Sequence, residues 1–249
     1  MKSITHWFLA GFLTVPAVAS ASDFGLAYDY WDSRVSGTLN DNGGVVDLKH
    51  DLGAESNDHH QFSSFLQTGP GWWRPDLAAS YTQIKIEGSR TLSSSGLQFG
   101  SIVVLPGSND TVVTRANIRD ADVSLRYPFA VGPLHVSAGV TIKQLKGDIS
   151  VQDITTGTRS DQPVDQTFPM AHALAEWPLP FSTSIAVSGN WVHYKNDSAD
   201  EAKIMVRVPI FGPLEGRIGW QRKHYHVDDH GYLLDTTLQG AMAGIQLLF

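Results

Sequence analysis

The segment LEGRIGWQRK, residues 214–223, alternates along its length between two kinds of side chain. Successive side chains of a β-strand point to opposite faces, so the odd and even positions separate. The even positions are apolar or small: Leu214, Gly216, Ile218 and Trp220. The odd positions are mostly polar: Glu215, Arg217, Gln221 and Lys223. The pattern predicts a strand with one apolar and one polar face.

Nine further segments show the same period of two. It is clear in residues 120–127, 135–143, 184–191 and 203–208, and weaker in residues 24–30, 60–67, 82–87, 171–177 and 241–249. Together with residues 214–223 they make ten predicted strands, an even number. Since the polar faces carry many charges, the sequence predicts an all-β fold whose strands are not buried in an apolar core on both faces.

The connections between these segments fall into two classes that alternate strictly along the chain. Four are short and rich in Pro and Gly: residues 69–75, 128–133, 177–181 and 209–213. The others are longer and mostly polar: residues 38–58, 91–110, 148–165, 195–200 and 226–235. Outer-membrane barrels alternate short periplasmic turns with longer extracellular loops in this way. The sequence therefore predicts a transmembrane antiparallel β-barrel of ten strands.

The spacing of the aromatic residues favours this barrel over a soluble β-sandwich, which also has alternating strands. Aromatic residues cluster by the short connections, and a second set lies further along the strands. Phe181 and Trp191 are separated by about 23 Å along the barrel axis, at ~3.3 Å per residue and ~45° strand tilt. That distance is close to the ~25 Å apolar band between the aromatic girdles of a membrane barrel.

The last strand has apolar residues at alternate positions and closes on Phe249. This ending resembles the insertion signal that the barrel assembly machinery reads. The chain is similar to small Gram-negative outer-membrane barrels of the broad OmpA/OmpW-like group. The stretch YDYW at residues 28–31, with VDLKHDLG at residues 46–53, resembles a proteobacterial outer-membrane protein family. The resemblance implies a barrel fold, an outer-membrane location and the assembly machinery as a partner during insertion.

Residues 1–21 have the order of features of a cleavable signal peptide. Lys2 supplies a positive charge, residues 7–15 form an apolar run too short to span a bilayer, and small residues follow up to Ala21. The mature domain is then residues 22–249. We expect the protein to be exported through the periplasm and to reside in the cell outer membrane.

Composition excludes several classes of protein. Hydrophobic residues make up 42% of the chain, but they are dispersed, and no apolar run approaches the ~18 to 20 residues of a membrane helix. There is no Cys, so packing and hydrogen bonds alone must hold the exported fold. The formal charge is −7, which becomes −8 when Lys2 is removed with the signal peptide. An acidic chain is not expected to bind nucleic acid.

With the apolar faces turned to lipid, the polar faces line the lumen. The predicted lumen-lining residues are charged: Asp29, Lys85, Glu87, Asp120, Asp122, Arg126, Lys143, Glu176, Lys203, Arg207, Glu215 and Arg217. With Lys223 the two signs are nearly balanced, whereas an ion-selective channel shows an excess of one sign. Two interpretations stay open: a structural barrel closed by salt bridges, and a narrow pore for small polar solutes.

The excess negative charge falls in the predicted extracellular loops. Carboxylates there could reach lipopolysaccharide phosphates through divalent cations, or could be a solvated acidic surface. Outer-membrane lipids and lipopolysaccharide are the expected partners, and we favour a monomer. Residues 45–52 predict a short helical turn folded against the rim, with Gly53 as its C-cap.

The segment HYHVDDH, residues 224–230, is the best candidate for chemistry. His224 and His226 share one strand face, and with Asp228 at the loop that follows they form a candidate transition-metal site. The alternative is an outer-membrane hydrolase, either a protease or a lipid-modifying enzyme, that acts at the extracellular rim. Its candidate catalytic residues are His193, Asp197, His224 and Asp228. No phosphate-binding Gly loop or nucleophile elbow is present. We therefore expect a barrel without cofactor or catalytic residues.

Overall fold

The computed structural model describes residues 23–41, 44–54, 57–68, 74–92, 97–229 and 232–249; the predicted signal peptide lies outside these ranges. It contains thirteen β-strands. Ten are long: β1 (Asp23–Asp41), β3 (Asn57–Gln67), β4 (Asp76–Leu92), β7 (Asp110–Val131), β8 (Leu134–Asp153), β9 (Arg159–Pro178), β10 (Ser184–Tyr194), β11 (Asp197–Phe211), β12 (Leu214–Asp229) and β13 (Tyr232–Leu248). Three are short: β2 (Val45–Asp47), β5 (Leu97–Phe99) and β6 (Ile102–Val104).

The ten long strands form one closed antiparallel barrel. Each pairs with its neighbour along the chain, and β13 pairs with β1 to close the sheet. The closing register runs from Gly25 opposite Leu248 to Asp41 opposite Tyr232. The predicted ten-stranded antiparallel barrel is confirmed. Among the described residues, no helix is long and apolar enough to cross a membrane.

The two ends of the barrel differ, and we name them for their connections. The turn end carries short links such as the one between Val131 and Leu134, and corresponds to the periplasmic side. The loop end carries β2 and the β5–β6 hairpin. Near the turn end every long strand exposes a large apolar side chain: Leu26, Phe62, Leu77, Val123, Val140, Trp177, Val187, Ile204, Ile218 and Ile245. This belt is the lipid-facing band.

The barrel is about twice as tall as the lipid-facing band. Strand β7 has 22 residues, which span about 50 Å at ~3.3 Å per residue and ~45° tilt, against ~25 Å for the apolar band. Side chains change character along β7 accordingly. The outer face passes from Leu125 and Val123 to Arg119 and Arg115, while the inner face passes from Asp120 to Ala116 and Val112. Polarity therefore inverts where the strand leaves the membrane.

Because of this inversion, three predicted extracellular loops are mostly strand. Residues 148–165 form the ends of β8 and β9 with a short turn at 154–158, and residues 226–235 belong largely to β12 and β13. Strands β10 and β11 are joined through Lys195 and Asn196. Asp148, Asp161 and Asp165 of these segments lie on a water-exposed outer strand face. The polar residues in these segments indicate strand faces that are exposed to water, and not irregular loops.

The two longer loops fold over the barrel mouth. The backbone amides of Lys49 and His50 donate to Asp47 Oδ1 at 2.9 and 2.6 Å, and Gly53 follows with φ of 64°. The turn predicted for residues 45–52 is therefore present, although it begins with a short strand. Its apolar residues are buried, as are those of the β5–β6 hairpin: Val46, Leu48, Leu52, Leu97, Phe99, Ile102 and Val104.

Candidate functional site

A cluster of buried charges lies at mid-height in the lumen. Asp120 on β7 accepts hydrogen bonds from Lys143 Nζ and Lys223 Nζ, each at 2.5 Å, and from the Tyr225 hydroxyl at 3.2 Å. Glu201 on β11 lies 3.0 Å from Lys143 Nζ and 3.6 Å from Lys223 Nζ. The side chains of Asp120 and Lys143 are 0% exposed. Asp120 and Lys143, at the centre of this mid-barrel cluster, are therefore out of reach of water from either end.

Asp122 and Asn190 complete the mid-barrel cluster. Asp122 lies 3.1 Å from Lys143 Nζ, so this one ammonium group contacts three carboxylates. Asn190 Nδ2 donates to Glu201 Oε2 at 2.7 Å. Buried charges are stable only when they are paired and hydrogen-bonded, and these contacts satisfy that requirement.

Apolar side chains fill the lumen above this cluster. Trp31 lies over Lys223, with Nζ 5.7 Å from the ring centroid, and Phe168 stacks on Tyr225 at 6.5 Å. Further toward the loop end, most of the buried inner-face residues are apolar: Val35, Leu39, Ile84, Ile86, Val112, Leu145, Ile149, Val151, Val164, Val227, Leu234 and Leu238. This apolar core joins the folded loops and closes the lumen on the extracellular side.

A polar cavity of about 190 Å³ lies below the mid-barrel cluster. Its walls include Ser, Gln and Asn side chains together with Arg126, His172, Glu176, Arg207 and Arg217. The Arg207–Glu176 ion pair keeps 17% and 22% of its side chains exposed. Since Asp120 and Lys143 above the cavity are fully buried and this pair is not, the cavity opens toward the turn end.

Ten of the twelve predicted lumen-lining residues lie on the inner face. Asp29 lies 3.2 Å from Arg217 and 3.7 Å from Lys203, and Glu215 accepts a hydrogen bond from Gln246 at 3.2 Å. The other predicted residues on the inner face are Asp120, Asp122, Arg126, Lys143, Glu176 and Arg207. They form the mid-barrel cluster and the cavity wall, together with groups absent from the predicted set, notably Glu201, Tyr225, Asn190 and His172.

The prediction is wrong for Lys85 and Glu87. Both are exposed on the outer face of β4, while Ile84 and Ile86 between them are buried in the lumen. We had assigned apolar residues to the outside, as in lipid, but this part of β4 lies above the lipid-facing band. Water surrounds the barrel there, so the polar face turns outward.

The predicted metal site is also wrong. His224, His226 and Asp228 lie on the outer face of β12, each with another partner. His224 Nδ1 lies 3.0 Å from Thr237 Oγ1, His226 Nδ1 lies 2.9 Å from Asp235 Oδ2, and Asp228 accepts from Asn196 Nδ2 at 3.2 Å. Within the described ranges, no three His, Cys, Asp or Glu side chains are close enough to hold a metal ion.

Three of the four residues considered for a hydrolase, His193, His224 and Asp228, lie on the outer strand face. His193 is exposed on β10, opposite Ser198 of β11. Asp197 accepts a hydrogen bond from the backbone amide of Asp228 at 2.8 Å, so its carboxylate caps a strand end. The four residues therefore do not line a cleft in the described part of the chain.

The structure is similar to those of solved outer-membrane proteins. The outer membrane protease OmpT from Escherichia coli is similar with a TM-score of 0.60 and 7% identity, over 91% of this chain and 97% of that chain. Neisserial surface protein A has a TM-score of 0.39 and 11% identity, over 90% and 96% of the two chains. The attachment invasion protein Ail of Yersinia pestis has a TM-score of 0.37 and 7% identity, over 92% and 99%.

No protein-family model and no curated protein matches the chain, so its place in an OmpA/OmpW-like group stays a prediction. The likeness to OmpT concerns the fold alone at 7% identity. The closed sheet leaves no unpaired edge, and each long strand exposes a large apolar side chain in the outer band near the turn end. Fold and band together identify the protein as an integral β-barrel of the bacterial outer membrane.

Proposed function

We propose that this protein is a sealed structural barrel that holds its extracellular half above the outer membrane, and that it is not a pore. One observation carries the proposal: the lumen is filled across its section by the mid-barrel cluster and the apolar core. A water-filled channel needs polar walls that stay exposed along the whole axis. Here the exposed polar walls end at the cavity near the turn end.

The hydrolase alternative is less well supported. OmpT is a protease by name, but a shared fold does not carry an activity to another chain. Catalytic groups need a substrate cleft and mutual hydrogen-bond contact. His193 and His224, the bases considered for this role, lie on the outer strand face, and His224 is paired with a threonine.

Recordings from the refolded protein in planar bilayers test the sealed barrel. We expect no stepwise conductance in salt, because ions cannot cross the apolar core without losing their hydration. A reconstituted porin serves as the positive control, and heat-modifiable gel mobility shows that the sample is folded. Reproducible current steps from the folded protein would refute the proposal and restore the narrow-pore interpretation.

We further propose that lipopolysaccharide contacts the outer face just above the lipid-facing band. Arg119 on β7 lies directly opposite Lys146 on β8, and both are exposed. Like charges at facing positions repel each other. Lys146 has Asp165 at 3.3 Å, whereas no carboxylate of the described chain lies within 4.0 Å of Arg119. A phosphate group of a neighbouring lipid would relieve this repulsion.

Replacing Arg119 and Lys146 together by Ser is expected to weaken lipopolysaccharide binding by about 2 kcal/mol, roughly 30-fold, at ~1 kcal/mol per cation. The measurement is the amount of lipopolysaccharide that stays with the barrel through detergent washes. Arg222→Ser, on the outer face of β12, is the matched control for loss of exposed charge. Equal retention by the double variant and the control would contradict this contact.

A further inference from the structure

We propose that the cavity at the turn end is a binding site for a small periplasmic solute that carries an oxyanion, a carboxylate or a phosphate. The cavity measures about 190 Å³, a volume equal to about six waters at ~30 Å³ each. Five Ser side chains line it, together with Gln61, Gln67, Gln221 and Gln246 among others. Such walls can hold a small hydrophilic molecule, because they supply many hydrogen-bonding groups.

Arg126 is the first group that points to an anion. Its side chain lines the cavity and is only 9% exposed. The other inner-face cations of the described strands each have a carboxylate within 4.0 Å: Lys143, Lys203, Arg207, Arg217 and Lys223. Arg126 has none within that distance among the described residues, and its Nε has no hydrogen-bond partner. Asp76 lies opposite Arg126 across the β4–β7 pair but not within ion-pair distance. A buried guanidinium that lacks a close ion pair is costly, and a bound oxyanion supplies that pair.

His172 supplies a second, complementary group. Asn190 donates its Nδ2 to Glu201, so its Oδ1 is the atom that faces His172 Nδ1 at 2.6 Å. An oxygen there accepts, so Nδ1 carries the proton and Nε2 of the neutral ring is an acceptor. His172 is 7% exposed, lines the cavity, and its Nε2 has no partner among the described residues. The site therefore offers a cation, the Arg126 guanidinium, and a hydrogen-bond acceptor, His172 Nε2.

The strand register places Arg126 and His172 two strands apart on the inner face of the barrel. Arg126 on β7 pairs with Gly139 on β8, and Gly139 pairs with His172 on β9. Two strand spacings of ~4.8 Å separate the backbones of Arg126 and His172 by about 10 Å. Both side chains line the cavity, so a solute held there can contact both of them. Gln61 Oε1 and Gln221 Oε1, also buried without partners, face the same cavity.

These groups together specify the ligand class. Arg126 binds an anionic oxygen, while His172 Nε2 and the two Gln oxygens accept from hydroxyl or acid O–H groups. A hydroxy acid, a monohydrogen phosphate or a phosphate monoester has both kinds of atom. The solute must enter from the periplasm, because the mid-barrel cluster closes the other side of the cavity.

Calorimetric titration of the refolded full-length chain tests the site. The probes are inorganic phosphate and acetate, which separate the two oxyanions, with glycerol as the uncharged comparison. We expect at least one anion to bind and glycerol not to bind. Arg126→Gln is expected to weaken anion binding at least tenfold, whereas Lys85→Gln, which removes an exposed cation on the outer face of β4, leaves it unchanged.

Ser188→Leu provides an independent test, because it narrows the cavity without changing any charge. We expect it to abolish anion binding while heat-modifiable mobility shows an intact barrel. The absence of binding by either anion at millimolar concentration would overturn the proposal, as would undiminished binding by folded Arg126→Gln. Neither result bears on conductance, so the sealed barrel stands or falls separately.

Discussion

Lys143→Met is expected to lower the free energy of unfolding by about 3 to 5 kcal/mol, the usual cost of removing one partner from a buried ion pair. The Lys143 ammonium group lies 2.5 Å from Asp120, 3.1 Å from Asp122 and 3.0 Å from Glu201. Without it, Lys223 alone remains to balance three carboxylates. The loss is measured by urea unfolding of the barrel refolded in detergent, followed by heat-modifiable gel mobility.

Lys146→Met is the matched control for this variant. It removes the same side chain three residues further along β8, where Lys146 is 60% exposed and pairs with Asp165 at 3.3 Å. An exposed ion pair contributes about 1 kcal/mol or less. Comparable losses for both variants would mean that water reaches the mid-barrel cluster. Adding Asp120→Asn to Lys143→Met should recover part of the loss, because one unpaired carboxylate is removed as well.

The fold could be predicted from the sequence because lipid imposes a strict rule on one half of each strand. Within the band, apolar side chains face outward and polar ones inward, so residues 214–220 of β12 have a clear period of two. Within the band, the outward apolar residues of a given strand are either all odd-numbered or all even-numbered. That parity sufficed for the strand number, the antiparallel order and ten of the inner-face residues.

The same rule failed above the membrane, where the outer medium is water. On β4 the exposed apolar residues Leu77 and Tyr81 are odd-numbered, but the buried Ile84 and Ile86 are even-numbered. This change of parity within one strand marks the membrane surface. It was present in the sequence and would have placed Lys85 and Glu87 outside. Because we did not use this change of parity, we predicted loops where the strands continue above the membrane.

Parity also contained information about the candidate site. Glu201 shares its parity with Lys203 and Arg207 on β11, so it could have been assigned to the lumen. His224 and His226 share their parity with the outward Trp220, which argues against a lumen metal site. The cavity could not be predicted, because it depends on which side chains meet across the barrel. That pairing depends on strand tilt and stagger, which no single segment specifies.

Trp31→Ala is expected to cost about 3 to 5 kcal/mol, the range for removing a large aromatic side chain from a packed core. Trp31 is 0% exposed inside the lumen, and its ring contacts His59 with the centroids 5.3 Å apart. Water would refill the space in an open channel, and the loss would then be small. In a sealed apolar core the cavity stays empty, so the lost packing is not replaced. The variant therefore measures whether the lumen is dry.

Trp191→Ala is the control, since Trp191 is 49% exposed on the lipid-facing side of β10. Lipid chains can occupy the space it leaves, so we expect less than about half of the loss seen for Trp31→Ala. Trp31→Phe should lose less than Trp31→Ala, because the larger side chain leaves a smaller cavity. Urea unfolding of the three refolded variants gives the comparison. If Trp31→Ala were no more costly than Trp191→Ala, the lumen above the mid-barrel cluster would have to contain water, and the sealed barrel would lose its main support.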